Sequence, residues 1–203
     1  MNRREALQRV AWLMGGTISA SAILAVRDGY SATEPTDVKF SFLTAPQAGV
    51  VSAVAEIMIP RTDTPGATDV GVPQFIDRVL KDVYAAEDRN RYCAGLATFD
   101  AAAQQEYGGK FVTLKESQQV ALVRKFHDAA VSAERAVDPP RGPLQRPFIL
   151  MTKELTLLGF FTSKSGATQV LQYKAIPGAY HGCLPLAEAG NGKTWAVPPG
   201  LQF

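Results

Sequence analysis

The first strong periodicity in the chain falls between Thr44 and Met58, where Val50, Val51, Val54, Ile57 and Met58 recur at helical spacing. Thr44 supplies a cap, Pro46 suits a first turn and Gln47 stands three residues after the cap, so a helix is predicted from there to about Met58. Pro60, Pro65, Gly66 and Gly71 then impose an ordered loop. Pro73 opens a second helix with Phe75, Ile76, Val79 and Leu80 inward. A third is predicted from about Glu87 to Tyr107, carrying Tyr92, Leu96, Phe99 and Ala103 and stopped by Gly108 and Gly109. Thr113 to Glu116 has the spacing of a capping box and starts a fourth helix with Val120, Leu122, Val123 and Phe126.

Pro139 to Pro147 reads as a linker, and Phe148 to Phe161 follows as the most apolar stretch of the chain beyond its leader. A helix apolar on most sides is a buried one. Ser163 to Tyr173 fits a short helix, and Ala175 to Phe203 is an irregular tail rich in Gly, Pro and aromatic residues. No alternating strand pattern competes, so the fold class expected is all-α: one compact helical domain with a long irregular C-terminal tail.

The leader changes the picture of where this domain acts. Arg3, Arg4 and Arg9 precede an apolar run from Val10 to Val26, which Arg27 and Asp28 end. The run is shorter and wetter than the roughly 20 apolar residues of a membrane span. It reads as an export signal, and the Arg3-Arg4 pair resembles the twin-arginine type that addresses already folded proteins. Glu5, Ala6 and Leu7 after the pair depart from the usual pattern. Gly29-Tyr30-Ser31 offers a cleavage site, which divides the chain into a signal segment, 1–31, and a helical domain, 32–203; Ala20-Ser21-Ala22 would cut the apolar run short. Ordinary secretion and an uncleaved anchor are the competing readings. The formal net charge of +2 is contained in the leader, where four arginines face Glu5 and Asp28. The neutral remainder has no electrostatic footprint for nucleic acid.

Catalytic motifs are sparse. Ala187 to Thr194 loosely fits a phosphate loop, but no strand precedes it and Pro198-Pro199 follow, so no helix can hold a phosphate there. His127 and His181 have no partners at metal-ligand spacing, and His127 beside Asp128 reads as a satisfied surface residue. No haem-attachment motif and no dinucleotide fingerprint occurs, and no Ser nucleophile has a base in evident reach. Cys93 and Cys183, in an oxidising compartment, pair with each other or leave one free for a partner chain. The run "YKAIPGAYHGCLPL" reads either as a loop over the core or as a partner surface built on aromatic anchors.

Two blocks, "IPRTDTPGATDVGVPQFID" and "MTKELTLLGFFTSKSGATQVLQYKAIPGAYHGCLPL", together resemble the gluconate 2-dehydrogenase subunit 3 family. The similarity extends to Gly192-Lys193-Thr194-Trp195-Ala196, covers about Phe42 to Trp195, and skips Val131 to Gly142. The resemblance implies a small subunit without a redox centre of its own. Its partner would be an FAD-containing dehydrogenase large subunit, often accompanied by a multihaem cytochrome c subunit that carries haem c. The small subunit would help the large one mature, and its signal would carry both through the twin-arginine translocase to the periplasmic side of the cytoplasmic membrane. It implies no catalytic, cofactor-binding or metal residue in this chain.

On that reading Phe160, Phe161, Tyr173, Tyr180, His181, Cys183 and Trp195 are the expected partner contacts or core caps, with Arg3 and Arg4 as the export signal. Cys183, on a Gly/Pro loop, is expected to bond to a cysteine of the large subunit while Cys93 stays in a helix; an internal Cys93–Cys183 bridge is the alternative. Two other functions compete: a free-standing periplasmic enzyme with a site near His181, and an adaptor docking on a cytochrome.

Overall fold

The structure is a computed structural model, and it describes residues 40–136, 146–173, 183, 185, 187–188 and 192–196. Arg3, Arg4, the whole signal segment, Tyr180 and His181 lie outside the described residues, as do residues 139–145 of the expected linker. Five α-helices occur among the described residues: α1 (Ala45–Met58), α2 (Val72–Asp82), α3 (Ala86–Tyr107), α4 (Glu116–Arg135) and α5 (Phe148–Thr162). The all-α reading holds: the one β-type pairing among them is an isolated parallel bridge between Gln172 and Trp195.

α5 organises the domain because it has almost no face suited to water. Phe148, Ile149, Leu150, Met151, Leu155 and Phe160 are all buried, and the helix packs against each of the other four. Each such side chain removed from water contributes about 1.5–3 kcal/mol. At its start, Phe148 joins an aromatic cluster with Tyr92 and Phe99 of α3, at centroid distances of 5.0 and 5.7 Å. Phe99 in turn meets Phe111 at 4.7 Å and Phe126 of α4 at 5.0 Å. Near its end, α5 meets α2 so closely that a Cβ on Gly159 would lie 2.6 Å from the Phe75 ring. Only a glycine permits that approach.

Two polar groups enter this core on α5. Thr152 donates its hydroxyl proton to the Phe148 carbonyl at 2.8 Å, so the Tyr92 hydroxyl, 2.9 Å away, donates to Thr152. Burial pushes the Tyr92 phenol far up its range, against the pull of that hydrogen bond, and keeps it neutral. Thr156 is fully buried, and its hydroxyl has no partner among the described residues.

The entry to α1 follows the predicted cap, with the Gln47 Oε1 accepting the Thr44 N–H at 3.0 Å. The start of α4 differs from the expectation. Thr113 does not cap it; Phe111–Thr113 forms a 3-10 turn, and Thr113 donates to the Lys110 carbonyl. Lys115 is the cap residue, its N–H donating to Gln118 at 3.1 Å. The cause is Phe111, fully buried, whose N–H donates to Asp100 and whose carbonyl accepts from Gln119. The segment expected as a short helix after Ser163 becomes a π-helical turn, Gly166–Val170.

Because the Phe75 ring already occupies the space beside Gly159, Gly159→Ala overpacks the α2–α5 contact. It is expected to lower stability by about 1–3 kcal/mol in a urea titration. A value within error of the parent chain would mean that Phe75 yields without cost.

Candidate functional site

The described surface concentrates its exposed apolar side chains at one end of α5 and in the chain that follows. Of six large apolar residues left exposed, Leu157, Phe161, Tyr173 and Trp195 belong to this region, and Val83 and Val112 lie elsewhere. Leu157 and Phe161 stand one helical turn apart, which puts them on one face of α5. Phe161 is 37 % exposed, whereas its neighbour Phe160 is 2 % exposed and packs edge-on against it at 5.3 Å. Phe160 is therefore a core residue and not a partner contact: the helix turns it towards the interior. Leu157, absent from the expected contacts, is the residue that α5 leaves exposed one turn before Phe161. The spacing of four residues from Phe161 was the available signal.

The chain beyond α5 is held in position by local bonds. Ser163 donates its hydroxyl to the Phe160 carbonyl at 2.6 Å and accepts the Gly166 N–H at 3.0 Å. The tail then returns alongside: the Gln172 N–H donates to the Thr194 carbonyl at 3.0 Å, and the Ala196 N–H donates to the Gln172 carbonyl at 2.7 Å. The Gln172 side chain donates to the Lys193 carbonyl, and the Lys193 ammonium to the Gln169 carbonyl. This pairing brings Trp195 beside the segment that carries Tyr173, both exposed. Gly192 and Lys193, which sequence reading placed in a false phosphate loop, serve this tail closure.

Cys183 is exposed and Cys93 is half-buried on α3, and the two are not bonded to each other. Burial pushes the Cys93 thiol up, so it holds its proton more tightly than a free cysteine. His127 is satisfied as expected, with Nδ1 at 3.2 Å from Asp128 and Nε2 at 2.9 Å from the Lys153 ammonium of α5. The concavity along α4 is lined by Ser117, Val120, Ala121, Arg124, Lys125 and Asp128, which form no nucleophile–base pair. No group of three His, Cys, Asp or Glu side chains among the described residues is placed to hold a metal ion. No helix among them is long and apolar enough to cross a membrane.

The loop between α1 and α2 is rigid for reasons that sequence reading did not supply. The Glu56 carboxylate accepts the Arg61 N–H and the Thr68 N–H, both at 3.0 Å, and the Thr68 hydroxyl at 2.6 Å. Gly66 sits against the same carboxylate, where a Cβ would come within 2.2 Å of its oxygen. Asp69 accepts the Gly66 N–H and pairs with Arg61.

A family model described as gluconate 2-dehydrogenase subunit 3 matches residues 45–178, more than half of the chain. No curated protein and no solved structure matches it.

The different settings of the two thiols give a direct check. In the isolated folded chain, iodoacetamide near pH 8 is expected to label Cys183 at least about tenfold faster than Cys93, since the thiolate is the reacting form. Peptide mapping over time reads both rates, and equal rates would show Cys93 to be as open as Cys183.

Proposed function

The chain belongs to the gluconate 2-dehydrogenase subunit 3 family, and we propose that it is the non-catalytic small subunit that binds a flavin-dependent dehydrogenase large subunit, assists its maturation and carries it across the membrane by the twin-arginine route. Membership makes it a subunit of a dehydrogenase complex. The observation that carries the finer reading is the exposure of Leu157 and Phe161 on one face of α5, with Tyr173 and Trp195 exposed on the paired chain that follows it. Exposed apolar pairs mark interaction surfaces, and aromatic anchors dominate interface energetics.

The remaining parts of the reading follow from the same division of labour. On this reading FAD belongs to the large subunit. Haem c resides in a cytochrome subunit where one accompanies the pair. Arg3 and Arg4 address a folded cargo to the twin-arginine translocase. The mature complex then works at the periplasmic face of the cytoplasmic membrane. Cys183, an exposed free thiol, would then bond to a cysteine of the large subunit.

Replacing Leu157 and Phe161 together by Asp is expected to reduce the large subunit recovered with the tagged small subunit about a hundredfold. Leu157 and Phe161 are 40 % and 37 % exposed, so circular dichroism must show that the variant keeps its helices before recovery is compared. Undiminished recovery would place the docking surface elsewhere. Export has its own test: Arg3→Lys with Arg4→Lys should leave the partner's dehydrogenase activity in the cytoplasm, and unchanged periplasmic activity would reject the twin-arginine route.

A further inference from the structure

Asp77 is the one carboxylate among the described residues that the core buries, at 3 % exposure. It sits on α2, and no Lys or Arg among the described residues pairs with it. Its charge is met by three consecutive backbone N–H groups: Ser41 at 2.7 Å, Phe42 at 3.0 Å and Leu43 at 2.7 Å. A second grip acts on the same segment. The Arg89 guanidinium of α3 lies 5.6 Å from the Phe42 ring centroid and donates to the Lys81 carbonyl near the end of α2. Leu43 is buried, and Phe40 and Phe42 pack against the core. The start of the domain is thus fastened to α2 and α3, neither of which neighbours it in sequence.

Releasing residues 41–43 would strip all three donors from a buried carboxylate and leave its charge uncompensated, which a protein interior penalises heavily. Opening is therefore disfavoured as a unit, not residue by residue. We propose that Asp77 is a latch that sets the limit of N-terminal processing: any protease that removes the leader must cut before Ser41. The proposal rests on the export reading in one respect. A protein carried across folded meets the processing protease with the latch already closed, so the cut falls at a defined boundary. Proteolysis of a folded chain requires local opening, and its rate follows the population of the open form.

Phe40 and Phe42 make chymotrypsin a suitable probe of the purified full-length chain. Cleavage after Phe42 should be slow in the parent chain and at least about tenfold faster in Asp77→Asn, where an amide NH2 replaces one accepting oxygen and faces the backbone donors. Ser41→Pro is the second variant, since it deletes one donor at an exposed residue while leaving the carboxylate and every core side chain. Circular dichroism establishes that each variant keeps its helices. In cells, mass spectrometry of the exported chain should find its N-terminus before Ser41, and ragged ends beyond Ser41 in the two variants. Equal Phe42 cleavage in parent and variants, or a natural N-terminus beyond Ser41 in the parent chain, would overturn the latch. The Arg3→Lys/Arg4→Lys chain separates the two readings: it should lose export yet keep Phe42 protected, so continued export there counts against the route and leaves the latch result intact.

Discussion

A helix that is apolar on nearly every side cannot exist in water alone, and the position of α5 governs the rest of this fold. Covering Phe148 to Phe160 takes four helices, one against each part of its surface. Two of its contacts are specified by shape. Gly159 lets the Phe75 ring of α2 lie against the α5 backbone, and Phe148 closes the aromatic cluster shared with α3 and α4. The buried hydroxyl of Thr152 is tied to Tyr92, so the helix also fixes the rotation of α3 about its axis. Arg146, just before α5, pairs with Glu134 of α4 and with Glu154 of α5 itself. That pairing brings the end of α4 to the beginning of the central helix.

Most of this frame is legible in the sequence, because helix existence depends on short-range periodicity. The Val50 to Met58 stripe, the inward set from Phe75 to Leu80 and the long run from Glu87 to Tyr107 all fall where the pattern puts them. The failures share one cause, a partner distant in sequence. Thr113 and Glu116 have the spacing of a cap, but Asp100 and Gln119 capture the backbone of Phe111, and Phe111–Thr113 form a 3-10 turn. Asp77 looks like any polar helix position until residues 41–43 arrive at it. Phe160 and Phe161 are adjacent and equally apolar, and only the packing of α5 decides which one faces in. The exposed apolar positions were legible at Phe161, Tyr173 and Trp195 and missed at Leu157, where a generally apolar helix hides its one outward turn.

The acidic residues show how the polar part of the chain is used. Asp77, Glu56 and Asp100 each direct a carboxylate at backbone N–H groups of a segment that lacks regular structure. Each fastens an irregular piece to a helix: the lead-in, the α1–α2 loop and the 3-10 turn. These bonds supply what secondary structure supplies elsewhere, a partner for every backbone donor. The block from Ile59 to Asp77 that carries much of the family resemblance thus has an architectural explanation, since Gly66 has no room for a side chain beside Glu56.

The same helix that organises the core also presents Leu157 and Phe161 outward, and this links folding to docking. The exposed face of α5 has a fixed orientation only after the other four helices have covered its remaining sides. Likewise, Trp195 is held beside the end of this segment only after Gln172 pairs with residues 194 and 196. On the proposed reading, a partner that needs both parts of the surface can bind the finished domain and not its nascent chain. The sequence of events is then fixed by packing: the small subunit folds, the surface forms, the large subunit docks. On that reading an export signal suited to folded cargo fits the order, because passage of an unfolded chain would part the pair before it crossed.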